Sequence, residues 1–383
     1  MIKSIHIKNY KSIQDLSVDF GRFNVIIGEN GCGKSNILEA IALAAAAESK
    51  KLDNEFLTSR GVRITSPTTM RSAFTTNTSA KSINIDICYN GSKETKRYKL
   101  QNKNLPYSKW TSESTSNRDI AIFLEKLLID NPDFAQKVNA KQILDSLKKD
   151  MESTNELLDQ SRNNLKDFII YSPENSALRN FYKEGQVEPL GVNGEGLLKL
   201  LRTINEDSDS ASLNDIVGSL NIFDWFKSLE IPINLAESED SMKISDRYLV
   251  KIIDQRSANE GFLFVLFYIT LFVSKETPRI FAIDNIDASL NPKLCSELIK
   301  KLTSLAKKYD KQVFVTTHNP GILDGIDLGD DEQRLLVASR NKKGHTKYKR
   351  IKLEDKPKSS AGEPLRLSEA LLRGYIGGLP KGF

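Results

Sequence analysis

Apolar and polar positions change their period several times along the chain, and each change predicts an element. Over residues 2–9, Ile2, Ile5 and Ile7 are set among polar neighbours, and Leu16, Val18 and Phe20 continue the alternation over 13–20. A two-residue repeat belongs to strands with one buried face, so an antiparallel pair is expected. Phe23-Asn24-Val25-Ile26-Ile27 is a short, mostly apolar run, the pattern of a strand buried on both faces. The period then lengthens: Ile37, Leu38, Ala40, Ile41 and Leu43 recur at helical spacing over 36–47. Alternation returns over 83–89 and 96–100, joined through Asn90-Gly91, which reads as a hairpin with a glycine-containing turn. Residues 52–80, rich in Ser, Thr and Asn, read as a surface excursion. From about 118 to 166 apolar residues recur at three and four in a charged background, which predicts a helical arm.

Beyond the arm, Phe168-Ile169-Ile170-Tyr171 is strand-like, helices are expected over 194–205 and 213–229, and 236–245 reads as an acidic, polar loop. The last third alternates: helix 260–274, strand 279–284, helix 291–308, strands 312–317, 333–339 and 346–352, and a helical stretch over 368–375 ahead of Gly377-Gly378-Leu379-Pro380. Strands alternating with helices imply an α/β fold with helices packed on a parallel sheet. No internal repeat or low-complexity tract breaks the pattern.

Composition narrows this picture. At 383 residues the chain exceeds one ordinary domain, and 39% hydrophobic residues suffice for a substantial core. Lys and Arg total 55 against 50 Asp and Glu, a mildly basic balance that permits nucleic acid as a partner without requiring it. Cys32, Cys88 and Cys295 form no CxxC pair, which argues for a reducing compartment and against both a disulfide framework and a zinc site. The N-terminus lacks an apolar leader, and the longest apolar run, 262–273, is too short to span a bilayer. A cytoplasmic protein with no membrane partner is expected.

The chemistry-bearing residues begin at Gly28-Glu29-Asn30-Gly31-Cys32-Gly33-Lys34-Ser35, which matches G-x-x-x-x-G-K-[ST] between a strand and a helix. Glycines let backbone N–H groups wrap phosphates, and the helix presents its positive end to them. Lys34 would reach the β and γ phosphates of ATP, and the Ser35 hydroxyl would ligate Mg2+. Arg279-Ile280-Phe281-Ala282-Ile283-Asp284 supplies the second half, an apolar strand ending in a carboxylate for the magnesium shell. Taken alone, the run reads better as a strand that ends in a turn aspartate; the glycine loop upstream is what makes it a metal-binding carboxylate. Val313-Phe314-Val315-Thr316-Thr317-His318 ends in a histidine at the carboxyl edge, where such sheets bind ligands.

The opening segment IKSIHIKNYKSIQDLSVDFGRFNVIIGENGCGKSNILEAI, D-x-x-D-x-x-L-x-P from Asp284 to Pro292, and T-H-N-P at Thr317 to Pro320 together resemble the ABC-type, SMC/RecF-like branch of P-loop ATPases. That branch includes the AAA family ATPases of bacterial defence loci, among them OLD-family and Septu-like subunits. The likeness covers roughly 1–48 and 168–383. It implies an ABC-type head, a mixed sheet with an N-terminal antiparallel part, divided as an N-terminal lobe (1–100), a short inserted helical lobe (101–166) and a C-terminal lobe (167–383). It also implies that Asn30, Gly31, Cys32, Gly33, Lys34, Ser35 and Asn36 surround the nucleotide, with Ser35 and Asp284 on the metal.

By the same resemblance, Arg256 to Gly261 holds the place of the signature motif, with Asn259 where serine is usual. Asn259 and Gly261 would cap the γ phosphate bound by a second copy, which implies a head-to-tail homo-oligomer. Asp287 to Leu290 resembles the D-loop and His318 the switch histidine. Tyr171-Ser172-Pro173-Glu174 holds the place of the Q-loop but offers no glutamine, and no ligand is assigned there. Asn285 stands where the family has the glutamate that polarises water. An amide orients water but cannot accept its proton, so hydrolysis is expected to be slow or lost, unless Asp287 compensates. After Pro320 no acidic cluster or HNH-like histidine set follows, so a nuclease is expected on a separate effector, plausibly of HNH type. The resemblance thus implies an ATPase subunit of anti-phage defence. The alternative is a RecF-like maintenance ATPase that clamps DNA, to which Lys307-Lys308, Lys342-Lys343 and the lysines of 347–352 could contribute.

Overall fold

Phe23–Ile27 (β3) is buried at every position, and hydrogen bonding explains why. It lies between β12 (Gln312–Thr317) and β13 (Gln333–Arg340), parallel to both, so neither face nor edge meets water. The full six-stranded sheet runs β14-β13-β3-β12-β11-β7, with β7 at Ile170–Tyr171, β11 at Ile280–Ile283 and an antiparallel β14 at Thr346–Ile351. The structure, a computed structural model, describes residues 1–74, 81–92, 95–115, 164–180, 187–206, 210–232, 241–358 and 362–378.

Alternation along these strands divides the core into two layers. Val25, Ile27, Phe281, Ile283, Val313 and Val315 face one apolar cluster, while Ile26, Ala282 and Phe314 face the other. The first is filled by α5 (Glu260–Val273) and α6 (Pro292–Lys308), with α3 (Leu197–Glu206) and α4 (Ser210–Ser219) outside them. Residues 262–273 of α5 are buried without exception, as a helix in the interior requires. Each large apolar side chain there contributes about 1.5–3 kcal/mol. The second layer holds α1 (Lys34–Glu48), whose alanines let it lie close under a five-stranded antiparallel sheet ordered β2-β1-β4-β5-β6. The strands of that sheet are Ile2–Tyr10, Ile13–Asp19, Ile83–Tyr89, Thr95–Gln101 and Thr111–Thr115. The buried Gln312 side chain joins the two sheets: its amide bonds the Ile2 N–H and the carbonyls of Ile2 and Gly21 at 2.7–2.8 Å.

Several expectations are corrected. The expected insertion over 101–166 begins with a strand: β6 pairs with β5, so the N-terminal sheet runs on to Thr115. Residues 118–163 of the helical arm lie outside the described residues, as does Pro380. The 213–229 stretch is not one helix; it passes from α4 through a 3-10 turn (Leu220–Ile222) into β8 (Phe226–Glu230). Phe223, Trp225 and Phe226 recur in a spacing that also suits a helix, but they stack on Phe262 instead. The polar 236–245 stretch ends in β9 (Lys243–Asp246), centre of a small sheet β10-β9-β8, with β10 at Ile253–Asp254. The 52–80 segment also packs inward. A helix over Asn54–Ser59 is capped by Asp53, and Leu57, Val62, Met70 and Arg71 are buried, Arg71 with its guanidinium over Trp110. Residues 75–80 are not among those described. No helix of the described residues is long and apolar enough to cross a membrane.

Candidate functional site

The loop after β3 turns through two left-handed glycines, Gly31 (φ 73) and Gly33 (φ 101), and Gly33 forms the N-cap of α1. Gly33 has a second constraint: a Cβ built there would lie 2.4 Å from Thr346 Oγ1 and 2.7 Å from Ser12 Oγ. Those hydroxyls belong to a hydrogen-bond chain under the loop. The Asn36 amide donates to Ser12 (2.7 Å), Ser12 meets Thr346 (2.6 Å), and Thr346 donates to the Cys32 carbonyl (2.8 Å). Tyr348 donates to the carbonyls of Gly33 and Lys34, and Arg340 to that of Gly31. The β13–β14 hairpin thus straps the loop from below. Gly33→Ala is expected to lower stability by roughly 2–5 kcal/mol, from backbone strain plus overpacking, as read by urea denaturation. An unchanged midpoint would refute this account of the strap.

Strand order brings the remaining groups together. β12 separates β3 from β11, so Asp284 lies two strands, about 10 Å, from the glycine loop. The first turn of α1 closes that gap: Ser35 Oγ donates to both Asp284 oxygens, at 3.1 and 3.0 Å. Thr316, at the end of β12, donates to Asp284 Oδ1 and accepts the Asn285 N–H at 2.9 Å. The ammonium of Lys34 donates to the Gly28 and Glu29 carbonyls at 2.8 and 3.0 Å, which leaves its third proton for another acceptor. Burial pushes the Lys34 pKa down against the pull of Asp284 and Asp287. A hydroxyl and a carboxylate already in contact, beside a buried ammonium and a helix N-terminus, form a donor set that fits Mg2+ and a polyphosphate.

Asn285 follows Asp284 with φ 56, a left-handed conformation that asparagine tolerates better than most side chains. Asp287 Oδ1 accepts the His318 N–H at 3.4 Å, so the D-loop segment and the end of β12 meet. Burial, then the charge of Lys34, lowers the His318 pKa, which favours the neutral imidazole. Beside Ser35 and Asp284 opens a cavity of about 480 Å3 lined also by Glu39, Arg63, Ser172 and Asn193. Glu39 is buried and bonded by Tyr10, Lys11 and Arg63, which aims Arg63 along that wall. A larger groove of about 890 Å3, between α6 and a short helix at Leu367–Leu372 (α7), contains none of the phosphate-site side chains.

The signature-like segment is built differently. Asn259 is the N-cap of α5, its Oδ1 accepting the Phe262 N–H at 2.8 Å, which leaves its amide nitrogen as the donor for a ligand. Gly261 leaves room for the D-loop segment: a Cβ would stand 3.2 Å from the Ser289 carbonyl, and Ser289 donates to Glu260 at 2.5 Å. Arg179 holds the carbonyls of Gln255, Arg256 and Ala258. Of the expected nucleotide residues, Asn30 and Gly31 form the exposed crest of the loop. Cys32 turns its side chain into the core, so only its backbone faces the crest. Asn36 turns its amide to Ser12 rather than outward. Thr316, Tyr348, Thr346, Ser12 and Arg179 were not singled out in the sequence as site residues. The Thr316-Thr317 pair before His318 is the one local hint; the others each make a bond across more than 75 residues of chain.

Residues 23–324 match the family described as "AAA domain, putative AbiEii toxin, Type IV TA system". The DNA replication and repair protein RecF of Bacillus cytotoxicus is 46% identical over 55 residues, 14% of this chain and 15% of RecF. The chain thus spans less than a quarter of the length of the curated relatives it matches. Among solved structures, an SMC head bound to the C-terminal winged-helix domain of ScpA superposes with a TM-score of 0.56 at 16% identity, covering 92% of this chain and 98% of that one. A Pyrococcus furiosus-derived structure of an SMC head with an extended coiled coil, bound to the ScpA C-terminal domain, gives 0.52 at 14% identity, over 92% and 96%. The fold is that of an SMC/RecF-like, ABC-type P-loop ATPase head.

Proposed function

The chain belongs to that AAA domain family, and from this premise we propose that it binds ATP with Mg2+, pairs head-to-tail with a second copy, and in that form regulates a separate effector in bacterial anti-phage defence. The observation that carries the reading is the Ser35–Asp284 contact beside Lys34, followed by Asn285 in place of a carboxylate. Lys34 and the backbone N–H groups of 30–36 bind phosphates, and Ser35 and Asp284 hold the metal, whose chemistry is to neutralise phosphate charge. Asn285 orients water without taking its proton, and Asp287 and His318 flank it, so the nucleotide persists. Asn259 and Gly261 reach the nucleotide of the second copy. The AbiEii toxin of the family description and the ScpA-bound heads support a role beside another protein, here a nuclease.

The test is the molar mass of the purified protein by light scattering, with and without ATP and Mg2+. A doubling with ATP is expected, and a single mass throughout would refute head-to-tail pairing. The RecF likeness favours a second reading, a DNA clamp. ATP-dependent binding of a labelled duplex that falls steeply with salt would replace the effector reading with that one.

A further inference from the structure

Four large apolar side chains stand in solvent within five residues: Tyr248 (78% exposed), Leu249 (54%), Val250 (102%) and Ile252 (56%). No other run of the described residues concentrates exposed large hydrophobics in this way. Single exposed apolar residues need no explanation, but a contiguous patch marks a surface that something covers. These four form the tip of the hairpin between β9 and β10.

The flank and the base of the hairpin are anchored by hydrogen bonds. Arg247 bonds the carbonyl of Phe226 through its side chain (2.9 Å) and that of Trp225 through its N–H (2.8 Å), and the Tyr248 N–H donates to Asp246 Oδ1 at 2.7 Å. At the base of the hairpin, Gln255 Oε1 accepts the Met242 N–H at 2.7 Å. Gln255 also opens the segment whose carbonyls Arg179 clamps, so hairpin and signature-like segment form one unit. From Ile252 to Arg256 the chain can extend at most about 14 Å.

We propose that this tip is a latch onto a second copy of the chain. In a two-fold pair, whatever neighbours the signature-like segment of one copy lies against whatever neighbours the phosphate loop of the other. The cavity beside Ser35 and Asp284 offers an apolar wall there, formed by Val62, Ile64 and Val192. Lys251 is the only charged side chain between Tyr248 and Ile252, so the tip offers little to a phosphate backbone and suits an apolar protein surface. The latch rests on the head-to-tail reading and adds to it a contact that needs no nucleotide atom.

The experiment compares wild type, Val250→Asp and Ile64→Asp by light scattering over a range of protein concentrations with ATP and Mg2+. Fluorescent-ATP binding and thermal melting of Val250→Asp serve as controls, and both should match wild type because the residue is in solvent. Wild type should pair, and each variant should need at least about tenfold more protein to do so, equivalent to roughly 1.4 kcal/mol. Pairing of Val250→Asp at wild-type concentrations, with wild type pairing normally, overturns the latch alone. Normal pairing of Ile64→Asp beside a weakened Val250→Asp overturns the assigned receiving wall. A wild type that stays single overturns head-to-tail pairing and the latch with it.

Discussion

Lys34→Ala should weaken ATP binding about a hundredfold. Lys34 is 6% exposed and sits at the N-terminus of α1, with two ammonium protons on the carbonyls of Gly28 and Glu29. A polyphosphate would draw those protons to its own oxygens, and a charge-assisted hydrogen bond of this kind contributes about 1.5–3 kcal/mol. Two such bonds give roughly 3 kcal/mol or more, which is two powers of ten in affinity. The loop itself should survive, because its strap of Ser12, Thr346 and Tyr348 does not involve the lysine side chain. Titration with a fluorescent ATP analogue, alongside a thermal melt, separates the two effects. An affinity within about threefold of wild type would place the phosphates elsewhere.

Asn285→Glu should raise single-turnover hydrolysis by about a hundredfold or more, the range ascribed to a general base. The position follows Asp284 directly, and Thr316 fixes its backbone N–H. Its left-handed φ of 56 opposes the change, since glutamate lacks the local bonding that lets asparagine adopt this conformation. That strain is about 1–2 kcal/mol and falls on folding rather than on the chemical step. Asn285→Gln is the control: it has the new length without the carboxylate and should gain nothing. A wild-type turnover lost in Asp287→Ala and unchanged in Asn285→Glu would show that Asp287 is the base.

Much of the site can be read locally, and the reason is the reach of the interactions. Gly28 to Ser35 is one uninterrupted loop, and an apolar strand ending in Asp284 carries its signal within six residues. Asn259 shows where local reading stops. The resemblance places it at a second copy's nucleotide, and the fold adds a role that no local pattern shows, its Oδ1 satisfying the free N–H of Phe262 at the start of α5. The 213–229 stretch fails for a related reason. Phe223 and Phe226, three apart, suit a helix, and only their packing on Phe262, over thirty residues away, sets the turn and strand in its place.

Local pattern is enough for the order of strand, glycine loop and helix, for the buried parallel strands, and for picking out Lys34, Ser35, Asp284 and Asn285. Periodicity and backbone freedom are properties of neighbouring residues. Long-range packing brings Ser35 to Asp284 across 249 positions, and sets Thr346 and Tyr348 under the loop from more than 310 positions away. Those bonds depend on which strand lies beside which. Strand order is fixed by the packing of two apolar layers, a property of the whole chain.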